Sequence, residues 1–113
     1  MEEERRESNN ENRVFRMILV KIHKAEKRKI VSICDDNLIG KKFEDEDLQL
    51  DVSRHFYKGE KMNEHEIIES IKGADSLNIV GEESVRFALK NNLVEEENII
   101  RIKKIPQAIA LMR

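Results

Sequence analysis

Residues 74–92, ADSLNIVGEESVRFALKNN, constrain the fold more than any other stretch. A short apolar run, SLNIV, ends on Gly81, and a helically spaced pattern of Val85, Ala88 and Leu89 begins at once. A second β-branched run follows at NIIRI, residues 98–102. A strand turning directly into a helix and returning to a strand predicts a parallel pair joined by a right-handed crossover.

The flanking segments supply the rest of a sheet. VFRMILVKIHK and IVSIC lie on either side of the polar turn AEKRK and predict a hairpin. DDNLIGKKF predicts one helical turn closed at Gly40. LQLDV places Leu48, Leu50 and Val52 on one face of a third strand. NEHEIIESIKG predicts a helix with a capping box at Asn63 and Glu66, a buried stripe of Ile67, Ile68 and Ile71, and a stop at Gly73. AIALM is the last strand, set off from NIIRI near Pro106, which cannot donate to a ladder. The order β-β-β-α-β-α-β-β predicts an α/β fold, with α+β as the alternative: a mixed sheet of about six strands and two main helices in one domain over 13–113.

Residues 1–12, MEEERRESNNEN, have no apolar side chain after Met1 and are expected to be a disordered polar tail. Residues 1–13 hold three arginines and five glutamates, so the formal charge of −2 of the whole chain resides there and the remainder balances. Without a global field, attraction to nucleic acid must come from a local patch. A single cysteine, Cys34, excludes an internal disulfide and suits a reducing compartment. The apolar runs are too short to cross a bilayer, which points to a soluble cytoplasmic protein. High Lys, Glu and Ile usage is thermophile-like.

A helix N-terminus attracts anions. The loop at Gly81 could therefore hold a phosphate ligand through Asn78, Gly81 and Ser84, with Asp35 and Asp75 nearby. One glycine followed by Glu82 and Glu83 fits a structural turn better, because those carboxylates already satisfy the dipole and repel phosphate. Cys34 beside Asp35 and Asp36 lacks the base or cation that makes a thiolate. His23, His55 and His65 lack ligand spacing, and EDED at 44–47 lacks the pattern of a calcium loop. No catalytic residue, metal ligand or cofactor is assigned.

The hairpin tip carries Lys21, Lys24, Lys27, Arg28 and Lys29 around one Glu26. Lys41, Lys42, Arg101, Lys103 and Lys104 form further basic clusters near other strand ends. Converging ends would give a surface able to bind phosphate backbone by counterion release. Dispersed ends would be an ordinary charged surface.

The stretches VSICDDNLIGKKF, FYKGE, ADSLNIVGEESVRFAL and ENIIRIKKIPQA, in this order, resemble an archaeal family catalogued as domain of unknown function four-two-four. The resemblance implies a small archaeal cytoplasmic protein of unknown activity, with an association with translation or RNA. The family has a His after the proline, then Ala and Gln; this chain has Gln107 after Pro106 and Ile109 at the Gln position, against a catalytic role. The leading expectation is a non-enzymatic module for structured RNA or a ribonucleoprotein, through Lys21, Lys24, Lys27, Arg28 and Lys29, extended by Lys103 and Lys104. The alternatives are a small enzyme or ligand-binding protein using Asn78, Gly81 and Ser84, and a protein–protein adaptor.

Overall fold

Strands β1 (Ile18–Ala25) and β2 (Arg28–Asp35) form the expected hairpin, paired from Ile18–Asp35 to Ala25–Arg28. This is a computed structural model that describes residues 18–112; the expected tail and the first residues of the expected strand 14–24 lie outside them. Glu26 closes the hairpin with a left-handed φ of 55°.

The chain then makes a 3-10 turn at Asp36–Leu38 and a two-stranded ribbon, β3 (Lys42–Asp45) and β4 (Leu48–Asp51). The strand expected at LQLDV is therefore part of a ribbon and not of the main sheet, and EDED runs from the end of β3 into the exposed turn at Glu46 and Asp47. A four-residue helix α1 (Arg54–Tyr57) is capped by Ser53, whose Oγ accepts from Phe56 N at 3.2 Å. After it come β5 (Glu60–Met62), α2 (Glu64–Ser70), β6 (Ser76–Val80), α3 (Glu82–Lys90), β7 (Ile100–Ile102) and β8 (Ile105–Leu111).

The capping box of α2 forms as its residues require: Asn63 Oδ1 accepts from Glu66 N at 2.8 Å and Glu66 Oε1 from Asn63 N at 2.9 Å. Helix α3 ends at Lys90 with Asn91 as its cap, and the φ of 58° at Asn92 just beyond lets Leu93 N donate to Ala88 O at 2.8 Å and satisfy a terminal carbonyl.

The main sheet has six strands in the order β5-β1-β2-β6-β8-β7. Strand β2 pairs with β6 in parallel, and the other neighbours are antiparallel. The unit from β6 through α3 to β7 does return a parallel strand. However, β8 inserts between β6 and β7, so the hydrogen-bonded parallel pair is β2–β6 and not the pair expected across 76–102.

Alternation along the strands divides the side chains between two faces. On one face Val20, Val31, Ile33, Leu77, Ile79, Ala108 and Ala110 pack beneath Ile67, Ile71, Val85, Phe87 and Ala88 of the α2 and α3 region. Complete burial of a ring such as Phe87 contributes about 2–3 kcal/mol. On the other face Cys34, Val80 and Ile102 are covered by Leu38, Leu50, Val52 and Tyr57, which come from the ribbon and α1. That cover reaches only part of the face. Among the described residues no helix is long and apolar enough to cross a membrane.

Candidate functional site

The helix N-terminus at Gly81 is already filled by the chain itself. Because β2 and β6 run in parallel with Cys34 opposite Val80, Asp35 arrives beside Gly81 at the ends of both strands. Its carboxylate accepts Glu83 N at 3.0 Å, Ser84 N at 2.9 Å and Ser84 Oγ at 2.7 Å. An internal anion thus occupies the free N–H groups of α3 and the positive end of its dipole.

Of the loop residues Asn78, Gly81 and Ser84, only Gly81 and Ser84 meet, and they meet around Asp35. Asn78 pairs with Ser32 and Ile109 inside the sheet, with its side chain on the face away from α3. Asp75 accepts from Lys29 N at 2.7 Å at the other end of β6. The three candidates of the phosphate loop do not share a pocket.

Burial pushes the Asp35 carboxyl above its ordinary range, and its bonds with Ser84 and Glu83 pull it back only in part. The native carboxyl then holds a proton at a pH where the unfolded one, near 3.9, has lost it. Its contribution to stability is fully present below that value and declines as pH rises through the raised native value. The stability of the protein relative to Asp35→Asn should therefore fall across this window and level off above it. Urea titrations of both proteins over a pH series measure the slope, and a rise with pH would contradict the assignment.

Cys34 is also buried, and burial, reinforced by Asp35 and then Asp36, pushes its thiol up to about 12. It is not a nucleophile at neutral pH. Among the described residues no group of three or more His, Cys, Asp or Glu side chains is placed to hold a metal ion.

The basic clusters separate into two groups. The tip of the β1–β2 hairpin lies at one end of the sheet, beyond the pair Ile30–Ser76. Lys103 and Lys104, with φ of 51° and 71°, turn β7 into β8 at the opposite end, beyond Val80–Gln107. The length of β2 alone separates them by roughly 25 Å. Lys103 and Lys104 therefore do not extend the hairpin cluster. Lys41 and Lys42 lie on their side, because β3 and β4 pack on β7. Arg101 there faces Glu82 at 3.8 Å.

Along the β1 edge, between the hairpin tip and the start of the strand, the structure adds cations that the sequence did not announce. Helix α1 and strand β5 fold against β1, with Lys61 opposite Leu19. Lys21 Nζ donates to His55 O at 2.6 Å. Ser32 Oγ and His23 Nε2 both reach Phe56 O at 2.9 Å, and the His23 and Phe56 rings stack at 4.3 Å. Side chains of the sheet thereby satisfy the terminal carbonyls of α1 and seat it on β1 and β2. Lys58 and Lys61 thus lie along the β1 edge and Lys24, Lys27 and Arg28 stay exposed at its tip, whereas the Arg54 guanidinium lies beside Gly40. The local signal was the stretch SRHFYKGE: a capping serine, one helical turn and a glycine permitting close approach.

The family described as Protein of unknown function (DUF424) matches residues 23–112. The chain belongs to this family. In the DUF424 fold seen here, Gln107 and Ile109 lie on β8 on the same face as Asn78. A solved structure described as an uncharacterized conserved protein from Methanopyrus kandleri is similar, with a TM-score of 0.69 and 23% identity, over 86% of this chain and 94% of that one. At that identity the likeness shows the fold alone. No curated protein matches the chain.

Proposed function

We propose that this DUF424 chain is a non-enzymatic RNA-binding module whose contacts lie along the β1 edge. The observation that carries the reading is the seating of α1 and β5 against β1. It sets Lys58 and Lys61 on the same edge as Lys21, with Lys24, Lys27, Arg28 and Lys29 toward the hairpin tip, and segments 21–29 and 58–61 contain only Glu26 and Glu60 as acids. Among the described residues, whose 16 basic and 18 acidic side chains nearly balance, such a local excess attracts phosphate and releases counterions. His23 and Phe56 are occupied with each other, so bases are not read by stacking on them. Contacts are therefore to backbone, and sequence discrimination is weak. The buried Cys34 and the fully engaged Asp35 favour binding over chemistry.

Filter-binding titrations with total archaeal RNA at two salt concentrations test this. Affinity should fall steeply with salt, by roughly one log–log unit of slope for each phosphate contact. Reversing Lys24, Lys27 and Arg28 together to Glu should weaken binding by about tenfold or more, whereas Lys103→Glu with Lys104→Glu should leave it unchanged. Absent binding, or binding indifferent to salt, overturns the reading.

A further inference from the structure

Strand β8 has a neighbour on both sides only at its start. Strand β7 covers Ile105–Gln107, while β6 pairs with Gln107–Leu111. Gly81 N donates to Pro106 O and Met112 N to Asp75 O, each at 2.9 Å. These bonds set the phase of the ladder: Ala108, Ala110 and Met112 turn N–H and C=O toward β6, and Ile109 and Leu111 turn theirs outward. No described strand pairs with them there.

The side chains of those two residues are 63% and 72% exposed, more than any other large hydrophobic among the described residues. A groove of about 480 Å³ runs beside them, between β8 and the segment after α3, lined by Leu93, Val94, Glu95 and Asn98. An edge of this kind is ordinarily blocked by a lysine, a proline or a bulge. Here it reads Ile-Ala-Leu. Glu95, Glu96 and Glu97 are exposed along the same segment.

We propose that the free half of β8 is a docking edge for an extended segment of a partner protein, one that alternates aliphatic residues with Lys or Arg. The outward N–H and C=O groups of Ile109 and Leu111 would add the segment as a further strand, and its aliphatic side chains would cover theirs. The glutamates select a cationic occupant. A second copy of this chain would instead bring its own Glu95–Glu97 against this rim. The surface lies on the β8 side of the sheet, away from the β1 edge, and is independent of the RNA reading.

The probe is a labelled, end-blocked peptide Lys-Val-Lys-Ile-Lys-Val, compared with its Glu-Val-Glu-Ile-Glu-Val counterpart by fluorescence anisotropy and amide hydrogen exchange. The lysine peptide should bind at least about tenfold more tightly and slow exchange at Ile109 and Leu111. Ile109→Pro removes an outward donor without touching the β6 ladder and should abolish that binding. Glu95→Lys with Glu97→Lys keeps the edge intact and should reverse the preference between the two peptides, which guards against misfolding of the proline variant. No binding of the lysine peptide, equal affinity for both, or protection away from β8 overturns the proposal. So does a concentration-dependent dimer that Ile109→Pro dissolves.

Discussion

Gly81→Ala should destabilise the protein by about 3 kcal/mol or more, through backbone strain and the loss of buried hydrogen bonds together. Gly81 has φ 112° and ψ 157°, a region that essentially only glycine occupies. A Cβ there would also stand 2.3 Å from Asp35 Cγ. That carboxylate cannot step aside cheaply, because it is buried and holds three donors of the α3 N-terminus. Moving it strands the donors in a dry site.

The two contributions separate in a double-mutant cycle. Asp35→Ala alone should cost about 2–3 kcal/mol by leaving those donors unpaired. In that background Gly81→Ala should retain only the backbone strain, so the cycle should show a coupling of roughly 1–2 kcal/mol. Urea denaturation of the four proteins measures it. Additive costs would mean that the close approach of Gly81 and Asp35 is not what makes the glycine necessary.

Gly59→Ala should be nearly as costly, for a different reason. Its backbone angle is ordinary, but a Cβ would lie 2.0 Å from Val20 O and 2.8 Å from Lys21 Cβ. A backbone carbonyl inside the sheet has no room to give. Strand β5, a three-residue edge strand, must therefore leave β1 and lose the pairs Ile18–Met62, Leu19–Lys61 and Val20–Glu60. Because an edge can detach without unfolding the centre, the loss should stay near 2–3 kcal/mol. Native-state hydrogen exchange should show lost protection along β1 and β5 with β6 and β8 unchanged. On the proposed RNA reading, affinity for RNA should fall with it, since Lys58 and Lys61 lose their place beside Lys21. Full protection of β5 in the variant would show that this close approach is tolerated.

Most elements are written in local patterns. The capping box of α2 needs only Asn63 and Glu66 three residues apart, and both partners form it as expected. The apolar spacing of α3, its start at Gly81 and its end at the asparagines need no distant residue either. Local signals also announced the hairpin and the strand at 76–80. The ribbon partner β3 was hidden, because Lys42–Asp45 carries one apolar residue, Phe43, among three charges and has no alternation to read. Strand β5, Glu-Lys-Met, is hidden in the same way; only the fit of Gly59 against Val20 places it.

The sequence by itself therefore determined the strands and helices that announce themselves within a few residues, and the need for a glycine at 81. Tertiary structure decided the neighbours. Asp35 fills the N-terminus of α3 because β2 and β6 end side by side, a relation between residues 49 positions apart in the case of Ser84. Strand β8 slots between β6 and β7, and this leaves Ile109 and Leu111 on an open edge. The lysines at 27 and 104 stand at opposite ends of the sheet because strand direction, not charge, sets where a turn emerges. Periodicity reports which way a side chain faces, but strand pairing is a contest among non-local contacts, each offsetting its own loop-closure entropy, and only the assembled sheet settles it.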